Sequence, residues 1–116
     1  MSVISYTKEV PSDGNAKYMV VSWLGLANGD EGNPITLPQL ADRSVQVEGV
    51  FDGGTVEIKG SIDGINYHTL TDLQGSAITL TATRIKAISE IVRYIKPFVS
   101  GGAGTNISTH LLMRLP

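Results

Sequence analysis

Serines, aspartates and the histidines His68 and His110 are the residues of this chain that could do nucleophilic or acid–base chemistry. Such chemistry needs a base held beside a nucleophile, and the sequence contains no Gly-x-Ser-x-Gly elbow and no spacing that places one there. His68 borders a turn and His110 falls on the polar side of an alternating segment. Neither opens a metal-ligand spacing such as His-Glu-x-x-His, so both read as surface or interface residues. The stretch GSIDGINYHTL, from Gly60 to Leu70, concentrates Asp63, Gly64 and Asn66 before Tyr67. Asp and Asn side chains cap their own backbone in turns and glycine takes the left-handed conformation, so a hairpin connection accounts for every polar residue there. A calcium site would need about six to eight oxygens, and Asp63 and Asn66 have no acidic neighbour in sequence.

The remaining polar clusters read in the same way. ANGDEGNP brings Asp30, Glu31 and Asn33 together, a composition that could hold a hard cation but that reads as a solvated loop in preference. SGGAGT has the glycines of a phosphate cradle, yet it lacks the Lys-Ser/Thr pair and precedes a strand where a P-loop feeds a helix. Asn106-Ile107-Ser108 fits a glycosylation sequon by chance. Trp23 reads as a core anchor in preference to a sugar-stacking platform. The chain is therefore expected to carry no catalytic residues, no metal and no cofactor.

These residues must be positioned by a small domain. A chain of 116 residues buries about two thirds of its unfolded surface on folding, enough for a core of its own. Nine Lys plus Arg against eleven Asp plus Glu leave a formal charge of -2 without blocks, which predicts no attraction to nucleic acid or to an anionic membrane. Cysteine is absent, ruling out disulfides, thiolate metal sites and a cysteine nucleophile, and agreeing with assembly in a reducing cytoplasm. MSVISYTKEVPSDG has neither a basic leader followed by an apolar run nor a span approaching the roughly 20 apolar residues that cross a bilayer. The expectation is a soluble protein without a cleaved signal.

Thirteen glycines and many Thr, Val and Ile residues point to short strands and tight turns. TVEIKGSI places Val56, Ile58 and Ile62 on one face against Thr55, Glu57, Lys59 and Ser61. SVQVEGVF does the same with Val45, Val47 and Phe51, and Asp52-Gly53-Gly54 between the two predicts an antiparallel hairpin. AITLTA alternates Ile78, Leu80 and Ala82 against Thr79 and Thr81. TRIKAISE fits a strand edge or a turn of helix. IVRYIKPFVS is apolar on both faces, with Pro97 marking an edge or bulge because proline cannot donate to a ladder. TNISTHLLMRL sets Ile107, Thr109, Leu111, Met113 and Leu115 opposite Asn106, Ser108, His110 and Arg114. YMVVSWLGL reads as a buried strand, followed by a long polar connection and ITLPQL. Residues 1–17 read as an arm and 18–116 as one all-β domain, a β-sandwich or jelly roll of about seven or eight short antiparallel strands.

The succession Trp23-Leu24-Gly25-Leu26, Asn28-Gly29-Asp30, Ala41 to Gly49, Gly60 to Gly64, Leu70 to Gly75 and Arg93 to Pro97 resembles small structural proteins encoded in the head modules of tailed bacteriophages. The likeness covers most of the chain from Trp23 onward. It implies the decoration, or cement, class: non-enzymatic all-β proteins that bind the outer surface of an icosahedral capsid, often as dimers or trimers, and hold it against internal DNA pressure. The partners implied are the major capsid protein and further copies of the chain itself. The place implied is the virion surface, after assembly in the bacterial host cytoplasm. The same style of turns fits a tail or fibre component. Gly-Ser-x-Asp-Gly followed by an aromatic and Thr-Leu also resembles a hairpin of discoidin-like carbohydrate-binding jelly rolls. Within the decoration reading, the two-faced IVRYIKPFV offers Tyr94 and Phe98 as interface residues. The arm offers Val3, Ile4 and Tyr6, too little apolar area to order alone but enough to lie in a partner's groove.

Overall fold

The computed structural model describes residues 2–9, 18–36 and 41–114, without the side chain of Ala41. They form twelve strands and no helix: β1 Val3–Ile4, β2 Tyr6–Glu9, β3 Tyr18–Leu26, β4 Glu31–Gly32, β5 Ile35–Thr36, β6 Ala41–Val50, β7 Thr55–Ser61, β8 His68–Thr69, β9 Thr79–Leu80, β10 Arg84–Ala87, β11 Tyr94–Ser100 and β12 Asn106–Arg114. One sheet of seven strands runs β1-β4-β11-β7-β8, with β5 also on β11 and β9 also on β7. The other, of five, runs β10-β6-β12-β3-β2. The inner faces meet in one core, with Val56, Ile58, Ile95 and Val99 from the first sheet and Val21, Trp23, Val45, Val47, Ile107, Leu111 and Met113 from the second, all almost fully buried. The fold is an all-β sandwich.

Alternation explains the long strands. Ile107, Thr109, Leu111 and Met113 all point inward from β12, and Val56 and Ile58 do so from β7, because successive side chains of a strand leave on opposite faces. Leu115 lies outside the described residues, as do residues 10–17 of the expected arm and the end of ITLPQL, 37–40.

Several expectations are corrected. β6 and β7 do not form a hairpin: β6 is flanked by β10 and β12, and β7 by β11, β8 and β9. Asp52 and Gly53 do take positive φ angles of 45° and 79°, but their turn carries the chain from one sheet to the other, so that Val45, Val47, Val56 and Ile58 share one core. Ile62 is 72% exposed, since β7 ends at Ser61 and the turn begins there. The number of strands exceeds seven or eight because turns and bulges break the ladders into pairs of residues. β1 and β4 pair in parallel, so the sandwich is not wholly antiparallel. Of AITLTA, Thr79–Leu80 forms β9 and Ala77 makes an isolated bridge to Thr71. TRIKAISE supplies β10, with Ile88 buried and Ile85 exposed.

Pro97 sits neither on an edge strand nor in a bulge. β11 is interior, and Pro97 is buried opposite Ile58 of β7. Val99 exchanges backbone hydrogen bonds with the segment before β4, donating to Asp30 O at 2.9 Å and accepting from Gly29 N at 2.9 Å. Odd-numbered residues of β11 therefore turn their amides toward β4 and β5. The missing N–H of Pro97 falls opposite the break between those two strands, where no ladder partner is required. Beneath it lies Gly32, where a Cβ would stand 2.5 Å from Pro97 Cδ and 2.6 Å from the Trp23 ring.

Residues 2–9, read from sequence as part of an arm, supply an edge to each sheet: β1 pairs with β4 and β2 with β3. Ile4 and Tyr6 pack on the core, and the Tyr6 ring meets Trp23 edge-on at 6.0 Å. The Trp23 indole N–H donates to Asn33 O at 2.9 Å, which satisfies its polar atom within the core.

Candidate functional site

The outer face of the seven-stranded sheet sets aromatic and charged side chains side by side. Cross-strand partners point to the same face, and the register aligns Val3, Glu31, Phe98 and Glu57 in one row across β1, β4, β11 and β7. The next row holds Lys96, Lys59 and Thr69, and the one beyond it Thr36, Tyr94 and Ser61. Lys96 Nζ stands 4.2 Å from the centre of the Tyr67 ring and 3.3 Å from Glu31 Oε2. Lys59 Nζ lies 4.9 Å from the Phe98 ring, and the Arg93 guanidinium 5.3 Å from the Tyr94 ring. Burial, then the neighbouring Tyr94, Glu31 and Asp63, push the Tyr67 phenol above its ordinary range. Each cation over a ring contributes about 0.5–1 kcal/mol when exposed and more when dried. The face is thus a set of fixed aromatic and cationic groups suited to recognition.

Of the expected interface residues, Val3, Tyr94 and Phe98 share this face, with Val3 57% exposed and the two aromatics half-buried. Ile4 and Tyr6 do not join them. They point into the core, because Ile4 follows Val3 in a strand and Tyr6 belongs to the other sheet.

The stretch from Gly60 to Leu70 is the β7–β8 hairpin. Asp63 Oδ1 accepts from Ser61 Oγ at 2.8 Å and from the amides of Ile65 and Asn66 at 2.8 and 2.9 Å, while Oδ2 accepts from Asn66 Nδ2 at 2.9 Å. The Gly64 amide donates to Ser61 Oγ at 2.8 Å. The Asn66 and Ile65 amides, followed by the side chains of Asn66 and Ser61, hold the Asp63 carboxyl far below the usual carboxylate range. These polar groups serve the turn itself. His68 lies opposite Gly60 at its foot.

The other sequence candidates are likewise absorbed by the fold. Asp30 accepts from the amides of Ser2 at 3.1 Å and Ala27 at 2.9 Å, and Glu31 pairs with Lys96. In SGGAGT the Gly101 amide donates to Asn28 Oδ1 at 2.8 Å and the Gly104 amide to Asp52 Oδ2 at 2.7 Å, so the loop's amides are tied to neighbouring loops. Two further acids hold the β8–β9 region. Glu90 accepts from the Thr71 amide at 2.8 Å and its hydroxyl at 2.5 Å. Burial opposes its ionisation, but the Thr71 hydrogen bonds prevail and its carboxyl titrates low. Asp72 accepts from the Ser76 and Gln74 amides and pairs with Lys86 at 3.2 Å.

The outer face of the five-stranded sheet holds an arrangement that sequence spacing does not show. The register aligns Ile85, Gln46, His110, Ser22 and Thr7 across its five strands. Ser22 Oγ lies 2.7 Å from His110 Nδ1, and His110 Nε2 lies 2.9 Å from Glu48 Oε1. An ionised carboxylate only accepts, so in the neutral ring Nε2 carries the proton and Ser22 donates to Nδ1. The residues are 88 and 62 positions apart, and only strand pairing joins them; the one signal in the sequence is His110 on the polar phase of its strand. Their order is that of a nucleophile, base and acid. β3 is flanked on both sides at Ser22, by His110 of β12 and Thr7 of β2, and its ladder with β12 shifts register just beyond, where the Gly25 amide donates to Ser108 Oγ at 3.3 Å. The chain Ser22-His110-Glu48 acts as a strut across β3, β12 and β6.

Fold and faces together define a two-sheet β-sandwich with laterally ordered outer surfaces. No protein family and no curated protein sequence matches the chain. The crystal structure of SPBc2 prophage-derived protein YomS superposes with a TM-score of 0.62 at 10% identity, covering 83% of this chain and 93% of that one. What the two share is the fold. A carbohydrate-binding module (CBM6cm-2) from Cellvibrio mixtus lichenase 5A, in complex with cellotriose, superposes only loosely, with a TM-score of 0.35 at 13% identity over 96% of this chain and 86% of that one.

Proposed function

We propose that this chain is a non-enzymatic structural protein of a phage virion, and that it decorates the head by binding the outer surface of the major capsid protein. The observation that carries the reading is the outer face of the seven-stranded sheet, where Val3, Tyr94 and Phe98 are set among Glu31, Glu57, Lys59 and Lys96. Aromatic side chains held by cations and by ladder neighbours lose little freedom on binding, which favours recognition. The likeness in fold to a prophage-derived protein, over 83% of this chain and 93% of that one, supports the phage setting, as does the sequence resemblance to head-module proteins.

A decoration protein stabilises its shell because binding only the closed lattice adds contacts that must break before the shell opens. The test is addition of the purified protein to capsids that lack decoration. Saturable occupancy at one copy number per capsid subunit, with a raised shell melting temperature, is expected. Absence of binding to capsids, with binding to tails or to an oligosaccharide instead, would overturn the reading.

A further inference from the structure

We propose that Asn28 is a modification site, where the Gly29 amide displaces the side-chain nitrogen as ammonia once the contact between the β3–β4 and β11–β12 turns has opened, and that the isoaspartate formed keeps this contact from closing again. Asn28-Gly29 is the one Asn-Gly pair among the 116 residues, and glycine, having no side chain, leaves its own amide open to close approach. The pair occupies the centre of the β3–β4 turn, where the Asp30 amide donates to Ala27 O at 3.0 Å and Gly29 takes a φ of 86°. Asn28 is exposed, so water reaches its side chain.

Each reacting group is committed to the end of β11. Asn28 Oδ1 accepts from the Gly101 amide at 2.8 Å, and the Gly29 amide donates to Val99 O at 2.9 Å. Two further bonds frame the contact, from the Val99 amide to Asp30 O at 2.9 Å and from the Ala27 amide to Asp30 Oδ2 at 2.9 Å. Ring closure needs the Gly29 nitrogen to give up its proton and to approach Asn28 Cγ. Val99 O holds that proton in place, and Gly101 keeps the side-chain oxygen on the β11–β12 turn. A reaction whose partners are held out of attack geometry proceeds from the opened state, at a rate scaled by the population of that state.

In the opened turn the Gly29 nitrogen bonds to Asn28 Cγ, the Cγ–Nδ2 bond breaks, and ammonia leaves with the proton that the amide gave up. Water then opens the cyclic imide at one of its carbonyls. Addition at Cγ leaves an aspartate in a normal chain, which still accepts from the Gly101 amide. Addition at the main-chain carbonyl leaves isoaspartate, in which the chain runs through Cβ and Cγ. In balance, one water is taken up and one ammonia released. Isoaspartate lengthens the main chain by a carbon between Ala27 and Gly29, so Gly29 N and Asp30 O no longer meet Val99 in register. This inference stands apart from the capsid reading and is tested without capsids.

The experiment incubates the full chain in mildly alkaline buffer, folded and in denaturant, and follows each asparagine by peptide mass spectrometry with chromatographic separation of aspartate from isoaspartate. In denaturant Asn28 is expected to react ahead of Asn15, Asn33, Asn66 and Asn106. In the fold it is expected to react at least about tenfold more slowly than in denaturant. Gly101→Ala strains a φ of 87°, and Thr105→Val removes the hydroxyl that donates to Gly101 O at 2.7 Å, so each loosens the β11–β12 turn. Either variant, folded by circular dichroism, is expected to react at Asn28 faster than wild type, and the wild-type comparison stands should both fail to fold. The isolated isoaspartate form is expected to lose hydrogen-exchange protection at the Val99 amide. Equal rates in the fold and in denaturant, an Asn28 that does not react in denaturant, folded variants no faster than wild type, or a Val99 amide that stays protected would overturn the proposal.

Discussion

Thr109 and Asp63 show how a single polar group acts in this sandwich. Thr109 is fully buried on the inner face of β12 and its hydroxyl has no hydrogen-bond partner. Burying such a group unpaired is unfavourable, and valine has nearly its shape. Thr109→Val is therefore expected to raise the unfolding free energy by about 1 kcal/mol, read as a higher denaturant midpoint at unchanged slope; a lower midpoint would show that the hydroxyl is paired. Asp63 is the opposite case, an exposed carboxylate fully used by its turn. Its pKa in the fold lies below the ordinary 3.8, so its contribution is complete above that value and is lost as pH falls toward the folded-state pKa. Asp63→Asn should lower the melting temperature modestly at neutral pH and flatten its decline on acidification. An acid limb as steep as that of wild type would assign the acid sensitivity to other carboxylates such as Asp72.

At the scale of elements, what was legible in the sequence was alternation, and what was not was pairing. Ile107 to Met113 and Val45 to Val47 announced their buried faces, and Asp63 and Asn66 announced their turn. Nothing local distinguishes a turn that joins neighbours in one sheet from one that crosses between sheets, so Asp52-Gly53 was read as a hairpin. The Ser22-His110-Glu48 strut was hidden for the same reason, since strand order and register alone bring those residues together. Short segments such as Val3–Ile4 and Glu31–Gly32 lack the length for a periodic signal, and they form strands because β11 and each other supply the partners. Gly32 makes this dependence measurable. A methyl at this position would meet Pro97 and Trp23 at 2.5 and 2.6 Å, so Gly32→Ala is expected to cost about 2–3 kcal/mol through overpacking. Denaturation at wild-type stability would contradict the packing of β4 between Trp23 and Pro97. Tyr6→Ala, removing a half-buried ring from Trp23, should cost about 1–2 kcal/mol, measured in the same way. An unchanged midpoint would return residues 2–9 to the status of an arm.

The described residues form a sandwich whose interior is mostly apolar and whose two outer faces differ in chemistry. One outer face carries rings, cations and carboxylates in cross-strand rows; the other is flat, with apolar side chains around a hydrogen-bonded strut. That division suits a protein whose work is contact. The face bearing Tyr94 and Phe98 is the one proposed to bind the capsid. The most direct measurement is the occupancy of undecorated capsids by a Tyr94→Ala, Phe98→Ala variant, compared with wild type over a concentration series and with folding checked by circular dichroism. Both side chains lie on the outer face, so the fold should persist. The capsid Kd is expected to rise at least about tenfold, the loss of about 1.4 kcal/mol or more that truncating central aromatic contacts brings, read as the protein concentration at half occupancy. A folded variant that fills the capsid as wild type does would contradict it.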